Sequence, residues 1–312
     1  MINTDIHLAI LGYGKECTKK NASIATSIGK LAGKQGVSLV AGNVSSTFGY
    51  AFKAAKAYHA PTICVIEKHK RTSKEHDASK IIRTKDTHYK HNQIAQIADA
   101  AVLIGGGAGS QLLLKYFIKN KKTVIAIKGS GGLADKNLPP QVLIASSARE
   151  AWSILNSINY QCSLSIPFGL LKLTYDHFAL REAIITPEQS SSNCKNTHAF
   201  QQQFKEYMDA NRKEFNGKVH LIGTDFQKKV WNALLKIPFG KTISYGDLAH
   251  QLGDKKAGRA VGHAAAQNPI WVIVPCHRLI GKSGDLTGYA GGLEMKMRLL
   301  DLEGRQTELN LF

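Results

Sequence analysis

The residues best equipped for chemistry stand together at Pro275-Cys276-His277-Arg278. A thiol reacts as its thiolate, and cationic neighbours favour that form, whereas an apolar surrounding leaves a cysteine inert. The preceding run, Ile270-Trp271-Val272-Ile273-Val274, reads as a buried strand that stops at Pro275. That arrangement delivers the thiol at the end of a rigid element. A lone cysteine after such a run is commonly a small core residue, but two basic side chains after a proline stop are poor core material.

Upstream, Thr242–Ala249 begins a short helix for which Ser244 is a suitable N-cap. Gly253-Asp254 makes a turn, and Ala257–Ala266 forms a second helix, so the pair suggests helix-turn-helix. The second helix is small-sided, with Ala260, Gly262 and Ala264 among its residues. Long polar side chains normally read the major groove. Small ones let a helix backbone approach a minor groove, and they equally suit a close helix–helix contact. Arg259 is the long basic residue on this helix, fit either to enter the gap left by a displaced base or to form a surface ion pair.

Taken in order, these motifs resemble the O6-alkylguanine-DNA alkyltransferase family over residues 162–304. The series runs Phe226-Gln227-Lys228-Lys229-Val230-Trp231, Ile237-Pro238-Phe239-Gly240-Lys241-Thr242, Ser244-Tyr245-Gly246 and Arg259-Ala260-Val261-Gly262. It continues through Asn268-Pro269, Pro275–Arg278, Gly288-Tyr289-Ala290-Gly291-Gly292, Lys296 and Leu299–Gly304. The resemblance implies that Cys276 accepts the alkyl group from O6 of guanine, and from O4 of thymine, in one irreversible displacement. It implies that His277 takes the thiol proton through a water, that Glu303 orients His277, and that Asn268 braces the active-site turn.

By the same resemblance Tyr245 contacts the phosphate beside the lesion and favours protonation of the departing guanine. Arg259, Ala260, Gly262 and Arg278 join Tyr245 at the DNA, and Tyr289, Ala290 and Lys296 line the base pocket. The implied partner is double-stranded DNA carrying O6-alkylguanine, with no cofactor needed for transfer and no metal. The sequence departs from the family at Lys255, where proline is common, at His263, and at Leu279-Ile280. Alkyltransferase-like proteins that bind lesions without repairing them carry tryptophan at the position of Cys276. A non-catalytic lesion-binding or nucleotide-sensing protein is nonetheless the alternative from a different class.

The first half alternates apolar runs (His7–Leu11, Val37–Ala41, Thr62–Ile66, Ala100–Ile104, Thr123–Ile127) with helical stretches. The helices lie near Ser23–Gln35, Phe48–Tyr58, Tyr89–Ala98 and Ser110–Lys119. This predicts an α/β fold with a doubly wound, Rossmann-like parallel sheet. Glycines fall at the strand ends: Gly12 and Gly14, Gly42, then Gly105, Gly106, Gly107 and Gly109 before Ser110. Such turns either hold a phosphate on backbone N–H groups or are simply tight.

Residues 6–130 resemble the Rossmann-like superfamily of DprA-related and lysine-decarboxylase-like (LOG) proteins, on Ala98–Ser110 and His91-Asn92. A nucleotide ligand is implied. The family's second glycine cluster is reduced to Ala41-Gly42-Asn43, and Leu112-Leu113 stand where a glutamate is often found. Lys68–Lys90 reads as a long basic loop, on solvent or on nucleic acid, and Glu188–Thr197 as a polar loop. The expected domains are 1–158, 162–222 and 223–312, the last two forming the alkyltransferase, with the catalytic and DNA-binding part second.

The net charge of +18 points to a polyanionic partner. Residues 1–160 carry 22 Lys+Arg against 9 Asp+Glu, and residues 161–312 carry 19 against 14, so most of the excess lies away from Cys276. Five scattered cysteines suggest reduced thiols. The absence of an apolar span or leader leads us to expect an intracellular protein, cytoplasmic and nucleoid-associated or nuclear.

Overall fold

Aliphatic runs and amphipathic stretches alternate through the first half, and each run becomes a strand that is buried except at the first residues of two of them, His7 and Thr123. The computed structural model describes residues 1–14, 17–43, 45–70, 77–187 and 199–304. The chain separates into two compact units. Its opening strand, β1 (Ile2–Asn3), belongs with the C-terminal unit.

The N-terminal unit comprises Asp5–Ser157 and Asp176–Phe178. In order its elements are β2 (His7–Gly12), α1 (Lys19–Gln35), β3 (Ser38–Ala41), α2 (Thr47–Lys56) and β4 (Thr62–Glu67). Then come β5 (Lys80–Thr84), α3 (Thr87–Ile97), β6 (Ala100–Ile104), α4 (Ala108–Lys119), β7 (Thr123–Ile127), β8 (Val142–Ala145) and α5 (Ala148–Leu155). The strands form one seven-stranded parallel sheet in the order β5-β4-β3-β2-β6-β7-β8. The order reverses between β2 and β6, and ligands in such sheets bind in the crevice beyond the strand ends at that point. Helix α1 packs on α2 through Gly29, where a Cβ would lie 2.2 Å from the Ala51 carbonyl oxygen.

In this unit two strands, β5 and β8, were not legible as strands. The Lys68–Lys90 stretch, read as a loop, contains the edge strand β5, and Asp86 caps α3 by accepting from the Tyr89 N–H. Lysine and arginine on β5 suit an edge, where charge discourages pairing with another chain. β8 forms the opposite edge.

The C-terminal unit comprises Met1–Thr4, Ile158–Tyr175 and the chain from Ala179 onward. Its antiparallel sheet holds β9 (Tyr160–Ile166), β10 (Gly169–Tyr175) and β11 (Leu180–Thr186), with β10 central. Next come α6 (Ala199–Met208), β12 (Gly217–Lys218) paired parallel with β1, and α7 (Asp225–Leu234). The remainder is β13 (Ile243–Ser244), α8 (Tyr245–Gln251), α9 (Gly258–Ala266), β14 (Leu279–Ile280) and α10 (Leu293–Leu302). The polar tract Glu188–Thr197 lies outside the described residues.

One continuous core joins Phe204 and Tyr207 of α6, Trp231 of α7, Leu248 of α8, Val261 of α9 and Leu299 of α10. Thr224 and Gln227 cap α7 reciprocally, and the Trp231 indole N–H donates to the Ala264 carbonyl at 2.8 Å, fixing α9 to α7.

Candidate active site around Cys276

The run before Cys276 is buried as expected, but it is a turn and not a strand. Asn268 explains why. Its amide donates to the Val274 carbonyl at 2.8 Å, and its Oδ1 accepts from the Ile270 N–H at 2.9 Å. Val274 N–H donates back to Ile270 O at 3.0 Å, closing a loop in which Val272 sits at φ 71°. That left-handed conformation is strained for a β-branched residue, and the hydrogen bonds around it hold it in place. Trp271 N–H donates to Ala183 O at 2.7 Å, anchoring the turn to β11.

Cys276 opens a 3-10 turn, is 4% exposed, and its Sγ accepts from Asn268 Nδ2 at 3.2 Å. Burial pushes the thiol up to about 11, against the Asn268 hydrogen bond and the nearby Lys296 charge, which pull it down. The resting sulfur is therefore a neutral thiol. Cys276 lines a cavity of about 600 Å³ whose wall also includes Tyr245, Arg259, Gly262, Thr287, Tyr289 and Ala290.

His277 and Arg278, expected to stand outside the core, are inside it, at 0% and 7% exposure. Glu303, just past α10, makes this tolerable. Its Oε1 pairs with His277 Nε2 at 3.0 Å and with Arg278 Nη2 at 2.7 Å; its Oε2 accepts from Arg278 Nε at 2.9 Å and Gly240 N–H at 3.0 Å. Burial opposes the charge on Glu303, but the hydrogen bonds from His277 and Arg278 outweigh it and hold the carboxyl far below its ordinary range. For His277 burial dominates and lowers its pKa despite Glu303, which keeps the ring neutral. His277 Nδ1 is buried with no hydrogen-bond partner among the described residues.

Arg278 is thus a correction to the expected DNA contacts. Its guanidinium is committed to Glu303 and to the Ile237 carbonyl. Arg259 and Ala260 do lie exposed on α9, and Gly262 faces the Tyr245 ring.

Ser244 caps α8 and so sets Tyr245 at its first residue. The Tyr245 hydroxyl donates to Thr287 O at 2.9 Å, and the fully buried Lys296 donates to the same oxygen at 2.7 Å. Both also reach Gly288 O, at 3.2 and 3.3 Å. The segment that bears Tyr289 and Ala290 is held to the cavity wall by these bonds. Burial raises the Tyr245 phenol above its ordinary value. Lys296 therefore braces the pocket from behind. Sequence reasoning missed Tyr207, whose hydroxyl donates to Glu303 Oε1 at 2.7 Å, and the carbonyl of Thr287.

A second cavity, about 700 Å³, lies in the N-terminal unit at the carboxyl ends of β2 and β6. Gly12, Gly14, Gly107, Gly109 and Ser110 line it, together with Asn43, Lys90 and His91. Gly105 and Gly106, expected there, serve the turn instead. They adopt φ 66° and 94°, Gly105 N–H donates to Ser130 Oγ, and their carbonyls accept from Ala134 and Leu133. The Ser110 hydroxyl is spent on Gly12 O at 2.9 Å. Gly107 is the N-cap of α4 and offers no side-chain hydrogen bond to the helix. His91 is 6% exposed, and burial lowers its pKa to about 4.

Residues 225–305 match the family model for the 6-O-methylguanine DNA methyltransferase DNA-binding domain, and residues 5–157 match that of the SLOG cluster4 family. A methylated-DNA–protein-cysteine methyltransferase of Mycobacterium leprae is 53% identical over 112 residues, covering 35% of this chain and 68% of the relative. One from Methanosarcina acetivorans is 42% identical over 153 residues, 46% of this chain and 98% of the relative. The crystal structure of the Mycobacterium tuberculosis OGT in complex with DNA is 42% identical, covering 45% of this chain and 90% of that one, with a TM-score of 0.41. By sequence, then, this chain belongs to the methylated-DNA–protein-cysteine methyltransferase family.

Proposed function

We propose that this protein repairs duplex DNA by moving the alkyl group from O6 of guanine, and from O4 of thymine, to Cys276 Sγ in one irreversible displacement. The observation that carries this reading is Cys276 on the cavity wall, followed in sequence by His277, which is buried and paired with Glu303. Because O6 is inaccessible in the duplex, the nucleotide must rotate out. Arg259 on the exposed face of α9 fills the vacated stack, Ala260 and Gly262 allow the close approach of the helix, and Tyr289 and Ala290 wall the base.

The S–C bond forms as the C–O6 bond breaks. The thiol proton passes to His277 Nδ1 through a water, and the electron pair leaves with the guanine, whose protonation Tyr245 favours. Nε2 is already engaged by Glu303, so Nδ1 is the nitrogen free to accept. Asn268 holds Sγ and the turn. A thioether is not cleaved by water, so each chain acts once and needs no cofactor. Residues 162–222 then serve as a supporting subdomain and 223–312 as the catalytic and DNA-binding one, joined to the Rossmann-like unit of Asp5–Ser157.

Incubation with a duplex holding one labelled O6-methylguanine should move at most one methyl to each chain and restore guanine. Cys276→Ala should abolish transfer and retain lesion binding. Tight binding by the wild type with the methyl left on the DNA would establish the non-catalytic alternative.

The N-terminal cavity binds a nucleotide-like anion. Three features support this: the uncapped α4 N-terminus, the glycines that expose backbone there, and His91, buried on the cavity wall with no hydrogen bond among the described residues. Calorimetry with nucleoside mono-, di- and triphosphates should detect saturable binding that His91→Ala weakens about tenfold, the cost of one hydrogen bond. No heat from any of them would remove this part of the reading.

A further inference from the structure

We propose that Tyr207 is a positioning residue for methyl transfer, fixing the Glu303 carboxylate and moderating its pull on His277. The inference rests on the transfer reading above. Tyr207 lies on α6, upstream of the residues that match the DNA-binding domain model, and 96 residues from Glu303. Its side chain is fully buried, and its hydroxyl is 2.7 Å from Oε1, the same oxygen that pairs with His277 Nε2.

The geometry distinguishes the hydroxyl from the ring. The ring is packed against Phe215 and Phe239, at centroid distances of 5.4 and 6.0 Å, and a phenylalanine would satisfy those contacts equally well. The hydroxyl's 2.7 Å hydrogen bond to the carboxylate is one that phenylalanine cannot make, and the Arg278 side chain lies within reach of the same hydroxyl. Burial, then the Glu303 charge, raises the phenol well above its ordinary value, so it remains a donor.

With Gly240 N–H and Arg278 Nε on Oε2, and Arg278 Nη2 on Oε1, the carboxylate has donors on both oxygens and cannot rotate freely. Donation from Tyr207 also draws charge from Oε1. An imidazolium beside a fully charged Oε1 is stabilised more than one beside an oxygen already hydrogen-bonded. Tyr207 therefore helps His277 stay neutral and able to accept the thiol proton.

The test is the pH dependence of single-turnover transfer at saturating lesion DNA, with the His277 pKa measured by NMR in the free protein. Tyr207→Phe should keep lesion affinity within about twofold. It should move the acid limb and the His277 pKa upward, on the order of one pH unit for a hydrogen bond to a buried charge. Incorporating 3,5-difluorotyrosine at position 207, a stronger donor of nearly the same shape, should move both downward. A transferring wild type whose limb is unmoved in both variants overturns the proposal, whether or not the rate falls uniformly. A wild type that transfers no methyl overturns the functional reading instead, and the NMR titration still reports on Tyr207.

Discussion

Cys276 gains little from the positive charges that follow it. His277 is neutral, and Arg278 is neutralised by Glu303, so the burial of the thiol prevails and its pKa rises to about 11. The sign is that of an acid whose charged form is disfavoured: the thiol stays protonated through neutral pH and ionises only as the pH approaches that value. In the absence of DNA, alkylation of Cys276 by iodoacetamide should be slow at pH 7 and accelerate about tenfold per pH unit up to about pH 10. A rate that is already at its plateau at pH 7 would show a resting thiolate. Cys276 stood out in the sequence as the candidate nucleophile because motif spacing singles it out. The state of its neighbours was not, because the neutralising Glu303 lies 25 residues from Arg278, and pairing over such a separation leaves no periodic trace.

The element that presents the thiol depends on one side chain. Ile270–Val274 has the composition of a strand, and periodicity cannot distinguish that from a turn closed by a side chain onto backbone. Asn268 makes the difference by bonding Val274 O, Ile270 N–H and Cys276 Sγ. Asn268→Ala should destabilise the C-terminal unit by about 3 kcal/mol, since it strands buried backbone groups. It should also slow transfer more than it weakens DNA binding. Urea unfolding and single-turnover rates would check both, and a loss below about 1 kcal/mol would mean the strained Val272 is held by other contacts. The helices α8 and α9 were legible from Ser244 and Gly253. The edge strand β5 was hidden by Lys80 and Arg83, the very residues that protect an edge.

At the scale of the molecule, one chain folds into two compact units. The alternation of strands and helices in the first half was legible in outline, as was the ordered motif series in the second. The pairing of β1 with β12 was not, since it joins short segments far apart in the sequence, Ile2 with Gly217 and Asn3 with Lys218. The N-terminal unit has its own buried charge, Glu67 at the end of β4, held by Lys70 at 2.6 Å, Lys90 at 2.8 Å and Thr87 at 2.7 Å. Burial opposes that charge, but these partners prevail and lower the carboxyl from 4.5 to about 2. A depressed carboxyl contributes stability that is complete above its unfolded pKa and lost as pH falls through the folded one. Glu67→Gln should therefore cost ~1–2 kcal/mol at pH 7 and almost nothing near pH 2. Chemical denaturation of both proteins across that range would show the difference closing, whereas a constant difference would assign the effect to packing.

The most direct test of the central claim is mass-spectrometric mapping of the protein after incubation with O6-methylguanine duplex DNA. One added methyl on the peptide containing Cys276, appearing in step with guanine restored in the DNA, is the expected result. Lesion DNA that is fully bound and remains methylated, with the Cys276 peptide unmodified, would contradict it.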